Sequence, residues 1–71
     1  MNWDQIEGNW KQIKGETKRR WGKLTDDELM TIAGNKDKLV GKIQERYGYE
    51  KDRAEREVRE FADTLEAPRA R

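Results

Sequence analysis

From Trp3 to Trp21 the apolar positions advance in steps of three and four: Trp3, Ile6, Trp10, Ile13, Thr17 and Trp21. At 3.6 residues per turn these side chains share one face, which predicts a helix over about 3–21, with Gly22 at its C′ position. The stretch "LTDDEL" then carries a strong local start signal. Thr25 and Glu28 have the spacing of a capping box, and Leu24 and Leu29 that of a hydrophobic staple. Asp26 and Asp27 fall in the first turn, where the helix dipole favours negative charge. A second helix follows over about 26–33, ended by Gly34 and Asn35.

The stripe Leu39, Val40, Ile43 and Tyr47 predicts a third helix over about 36–47, stopped by Gly48. Ala54, Val58, Phe61 and Leu65 predict a fourth over about 50–65. Its outer face offers i,i+4 ion pairs, Asp52–Arg56 and Glu55–Arg59. Pro68 and "RAR" read as a disordered tail over 67–71. No segment alternates as a strand does. The fold class is therefore all-α, a four-helix domain over 1–66 whose short connections suggest two helical hairpins packed across one another.

The chain also matches itself at an offset of 26 positions. Gly8-Asn9 falls on Gly34-Asn35, Gly15 on Gly41, Arg20 on Arg46, Trp21-Gly22 on Tyr47-Gly48, and Asp26 on Asp52. This reads as two related halves, about 3–33 and 34–66. All six glycines lie in the pattern, spaced by seven at 8, 15, 22 and at 34, 41, 48. Gly22, Gly34 and Gly48 fall at predicted helix ends, where a positive φ is wanted. Gly8, Gly15 and Gly41 fall inside predicted helices, where each costs about 1 kcal/mol relative to Ala.

Composition narrows the functions. With 71 residues, 44% charged and 32% hydrophobic, the chain has little apolar material to offset its conformational entropy. Three Trp, two Tyr and one Phe supply large burial units, and a net charge of +1 keeps self-repulsion small. There is no Cys, no His and no Ser. The usual general base, the commonest metal ligand and two of the usual nucleophiles are thus missing, so no enzyme, cofactor or metal site is expected. "MNWDQIEG" lacks signal-peptide character, and no apolar run approaches membrane-spanning length. The expected setting is the cytoplasm, with no membrane partner.

Charge is arranged in blocks. Residues 1–24 carry six basic and three acidic side chains, whereas 25–35 carry three acids and no base. Residues 36–48 are again basic and 49–66 acidic. Lys11, Lys14 and Lys18, with Arg19 and Arg20 nearby, could form a surface for phosphate groups. The plainer reading is mutual attraction between neighbouring helices plus solubility.

Other candidates carry the same double reading. Trp3, Trp10 and Trp21 could stack on bases or a sugar, but they also occupy the stripe that must make the core. Asp26, Asp27 and Glu28 could hold a hard cation, yet helix capping accounts for all three. Glu55, Glu57 and Glu60 read as a solvated face. Tyr47 and Tyr49 flank Gly48, and this "YGY" is the most distinctive exposed candidate for a contact, with Tyr49 counted in the possible binding surface. The plainer reading has one ring capping the core and the other on the surface.

These motifs carry a resemblance. "GNWKQIKG" (8–15), "WGKLTDD" (21–27) and "GKIQERYGY" (41–49) resemble the CsbD-like family of small bacterial stress-response proteins, over about Trp3 to Phe61. The resemblance implies a SAM-like domain of two roughly orthogonal hairpins. It also implies a bacterial, cytoplasmic protein of the general stress response, without catalytic residues to carry over. Low hydropathy (mean hydropathy −1.35) and glycine content are similar to those of hydrophilins, a class associated with water deficit. The sequence names no partner. The leading reading is protection of client proteins, and the alternatives are a small nucleic-acid-binding module or a protein-interaction module using a hairpin face. The chain is expected to be a monomer.

Overall fold

The single helix expected over 3–21 is two helices. The computed structural model describes residues 2–66, and the tail expected at 67–71 lies outside the described residues. Its elements are α1 (Trp3–Gly8), α2 (Trp10–Arg20), α3 (Asp26–Ile32), α4 (Lys36–Tyr47) and α5 (Lys51–Glu66), with no strand among the described residues. Among the described residues the protein is all-helical, with five helices in place of four.

The break falls at Asn9, whose φ of −112° and ψ of 22° leave the helical range. Gly8 and Asn9 are both weak helix formers, and Asn side chains compete for backbone partners. Here the Asn9 Nδ2 donates to the Gln5 carbonyl at 2.9 Å. Asn9 itself bridges the two helices: its N–H donates to Gln5 O and Ile6 O, while its carbonyl accepts from Gln12 and Ile13. Both α2 and α4 therefore start just after a Gly-Asn pair, 26 positions apart. Asn35 caps α4 in the ordinary way, accepting the Lys38 N–H at 2.9 Å.

Helix α3 starts on the expected capping box. Thr25 Oγ1 accepts the Glu28 N–H at 3.1 Å, and Glu28 Oε1 accepts the Thr25 N–H at 3.0 Å. Asn2 and Gln5 form a second such box on α1. The helix ends one residue earlier than expected, at a left-handed Ala33 (φ 50°), followed by Gly34 at φ 81°. Gly34 is also pressed against α1, where a Cβ would lie 2.6 Å from the Glu7 Cα. Gly48 ends α4 at φ 72°, as its position suggested.

Gly22 does not have the positive φ expected of it. Trp21 itself closes α2 in an extended conformation (φ −123°, ψ 79°), and its carbonyl accepts the Leu24 N–H at 3.1 Å. The indole is anchored in the core, so the chain turns around the ring and needs no left-handed glycine.

Among the described residues, fourteen apolar side chains make one buried cluster. Ile6, Trp10, Ile13, Trp21, Leu24, Leu29 and Ile32 come from the first half, and Leu39, Val40, Ile43, Ala54, Val58, Phe61 and Ala62 from the second. Trp3, Tyr47, Tyr49 and Leu65 pack on its margin half-buried. Trp21 and Phe61 meet edge-to-face at 5.1 Å. The buried polar groups are matched: the Trp10 indole N–H donates to Leu29 O at 2.8 Å, and the Thr17 hydroxyl to Ile13 O at 3.1 Å. Trp10 and Trp21 are thus core residues, and Trp3 lies on the margin of the core. The Cα radius of gyration, 11.5 Å, is close to the roughly 11 Å expected for a compact chain of this length.

Candidate functional site

Lys11, Lys14 and Lys18 recur at helical spacing along one side of α2, as the sequence suggested. The site they could form is largely neutralised. Lys18 Nζ lies 3.2 Å from Asp26 on α3, and Arg19 Nη1 lies 3.8 Å from Glu16 on its own helix. Arg20 reaches across to Glu60 on α5 at 3.7 Å while lying 5.4 Å from the centre of the Trp21 ring. Lys11 and Lys14 make no ion pair among the described residues. The basic block of α2 therefore meets acids from α3 and α5.

Tyr49 is not brought to this stripe. Its contacts lie at the turn between α4 and α5, where its ring sits 5.3 Å from that of Tyr47. The Arg53 guanidinium covers it at 3.9 Å, and Lys23 Nζ lies 5.0 Å from the Tyr47 ring. Tyr47 Oη accepts the Lys23 N–H at 3.2 Å, which ties this turn to the connection between α2 and α3. Both rings thus have their cations already. The sequence signal for the Arg53 contact was its place four residues after Tyr49, across the start of α5.

The most strongly perturbed group among the described residues is Glu28, for which helix capping was the favoured reading. Glu28 accepts from Arg46 Nε at 2.7 Å and from Arg46 Nη2, with Lys42 Nζ at 3.8 Å. Its side chain is only 11% exposed. The Arg46 hydrogen bonds, then the Thr25 N–H, hold its carboxyl at about 2, down from an ordinary value of 4.5. The same contact raises Arg46 above its usual range. One carboxylate thus caps α3 and binds α3 to α4. Its partner lies 18 residues away, beyond the reach of any local spacing rule.

The acids of the α3 first turn are used in this way, Asp26 by Lys18 and Glu28 by Arg46, and no group of three or more carboxylates converges on a cation position among the described residues. The i,i+4 pairs on α5 do form, between Lys51 and Glu55 (3.9 Å) and Arg53 and Glu57 (3.5 Å). They stand in place of the expected Asp52–Arg56 and Glu55–Arg59, and Glu57 also accepts the Trp21 indole N–H at 3.1 Å. Between α2 and α5 lies an open depression of about 240 Å³, lined by Glu16, Arg19, Arg20, Phe61 and Thr64. It falls below the range of roughly 300–1,000 Å³ usual for small-molecule sites. No helix among the described residues is long and apolar enough to cross a membrane.

The CsbD-like family matches residues 4–56. The chain is also similar to a UPF0337 protein of Pectobacterium atrosepticum, 64% identical over 63 residues that cover 89% of this chain and 91% of that one. It is similar to the UPF0337 protein YjbJ of Escherichia coli, 66% identical over 58 residues, covering 82% and 84% of the two chains. A UPF0337 protein of Pseudomonas aeruginosa is 58% identical over 65 residues, covering 92% of this chain and all of its own. The family match takes in α2 to α4 whole, with the Gly-Asn starts and the Glu28–Arg46 link: the chain belongs to the CsbD-like family.

Proposed function

We propose that this chain is a non-enzymatic stress-response protein of the bacterial cytoplasm that protects client proteins through a hydrated, charge-balanced surface. The observation that carries this reading is the way the surface charges answer one another. Lys18–Asp26, Arg20–Glu60, Arg46–Glu28 and Arg53–Glu57 each join opposite signs, and Met30, 63% exposed, is the one large hydrophobic side chain left outside among the described residues. Such a surface binds water and resists association even when crowded against other proteins. The one strongly shifted carboxylate among the described residues, Glu28, is already committed to Thr25 and Arg46, so it supplies no poised acid or base. The helices are taken as a SAM-like double hairpin with α1 as an added N-terminal turn, and in dilute solution the chain is a monomer.

The test is recovery of a freeze- or drying-sensitive enzyme stored with this protein. Recovery should exceed that given by an equal mass of an inert globular protein. Equal recovery overturns the reading.

A second reading, weak nucleic-acid binding, rests on Lys11 and Lys14, three residues apart on α2 and without an acidic partner among the described residues. Binding of duplex or single strands at low salt, falling steeply as salt rises and lost in Lys11→Glu/Lys14→Glu, supports it. No binding at low salt removes it.

A further inference from the structure

The two halves of the chain hold one another reciprocally. Positions 20 and 21 on the first half reach α5 of the second: Arg20 to Glu60 at 3.7 Å, and the Trp21 indole N–H to Glu57 at 3.1 Å. The equivalent positions 46 and 47, 26 residues on, reach back to the first half: Arg46 to Glu28, and Tyr47 Oη to the Lys23 N–H at 3.2 Å. The buried cluster draws seven side chains from each side of residue 34. Neither half has a separate core, so each depends on the other for its burial.

The covalent link between the halves is three residues, Ala33 to Asn35, from the end of α3 to the start of α4. That link is strained. Ala33 sits at φ 50° with a Cβ, a conformation L-residues rarely adopt. Gly34 is held at φ 81° against the Glu7 backbone, with no room for a side chain. A short, strained hinge joining two mutually dependent units is the arrangement that favours exchange between copies.

We propose that a second copy of this chain is a partner, engaged by exchange of the α4–α5 hairpin. The hinge at 33–35 opens, and the hairpin of each copy packs on α1–α3 of the other. Every contact between the halves is then made again, now between chains, and the left-handed turn at Ala33 is released. The opposing cost is the association entropy, so protein concentration decides the balance. The exchange is independent of the protective reading and stands or falls by itself.

The Glu28–Arg46 pair supplies the test. Two full-length chains are prepared, one Glu28→Arg and one Arg46→Glu, so that each alone sets like charges against each other across the halves. They are refolded from denaturant separately and as an equimolar mixture at high protein concentration. In an exchanged heterodimer both charge clashes disappear: one site regains the original pair and the other holds it reversed. The expected result is a mass of twice 8.5 kDa in the mixture, with both chains present in the complex, and a higher melting temperature than either chain alone. Mixed chains that stay monomeric, whether folded or unfolded, overturn the proposal. So does a dimer that each variant forms alone to the same extent. On the hinge itself, Gly34→Ala should raise the dimer fraction of the otherwise unchanged chain and Ala33→Gly should lower it. The opposite order overturns the role given to the hinge.

Discussion

Glu28 and Arg46 are 18 residues apart in the chain, and the carboxylate of one accepts from Nε of the other at 2.7 Å. The same carboxylate closes the capping box of α3 through the Thr25 N–H at 3.0 Å. A local helix-start device and a link between the two halves thus share one side chain, and this coupling has a pH signature.

The folded-state value of Glu28 is about 2, below its ordinary 4.5. A depressed carboxylate stabilises the fold fully above its unfolded-state value and loses that contribution as pH falls through the folded-state value. Thermal melts should therefore show the wild type losing stability from about pH 4.5 down to about pH 2. Glu28→Gln should be less stable than wild type at neutral pH, and the gap should close as pH approaches 2. A gap that is constant with pH would show that the carboxylate charge is not what matters there.

Trp21 is 1% exposed and lies edge-to-face on Phe61 at 5.1 Å. Trp21→Ala should cost about 3–5 kcal/mol, the usual range for an aromatic lost from a core. A domain this small has little more than that in reserve. The variant should lose most of its helical circular dichroism at 25 °C, and a cooperative melt close to the wild type's would count against the central place given to this ring.

Gly15 and Gly41 occupy equivalent interior positions of α2 and α4, and an added Cβ at either meets nothing within 4 Å. Gly15→Ala and Gly41→Ala should each stabilise the protein by about 1 kcal/mol, and the effects should add. Urea denaturation of the single and double variants reads this out. A loss of stability would reveal a close approach at these faces.

At the hinge the expectations run the other way. A non-glycine residue in the left-handed region costs about 1–2 kcal/mol, against about 0.5–1 kcal/mol for the extra chain freedom of glycine. Ala33→Gly should therefore gain about 0.5 kcal/mol net in monomer stability. Gly34→Ala should lose at least about 1 kcal/mol from backbone strain alone, and more because of the Glu7 contact. Denaturant titrations in dilute solution, where exchange between copies is negligible, measure both.

Much of this architecture was legible in the sequence. The periodic stripe named the buried faces, and "LTDDEL" marked the start of α3, because caps and amphipathic spacing are set by residues within one or two turns. The basic stripe was legible as a stripe, but its partners were not. Lys18 and Asp26, or Arg20 and Glu60, meet only after the helices have packed. Tyr49 was legible as an aromatic beside a glycine turn, but its place with Tyr47 and Arg53, away from the lysines, was not.

Local pattern alone settled that this protein is helical, where α3 to α5 lie, that Trp10 and Trp21 lie on a core-facing stripe, and that the chain repeats at an offset of 26. These follow from interactions between near neighbours and from the segregation of apolar side chains. Only the tertiary structure decided the break at Asn9, the left-handed Ala33, the pressing of Gly34 on Glu7, and the double use of Glu28. The last two depend on backbone and charge brought close from distant positions, whereas the break at Asn9 follows a weak local pair, Gly8-Asn9, that the apolar stripe running past it conceals.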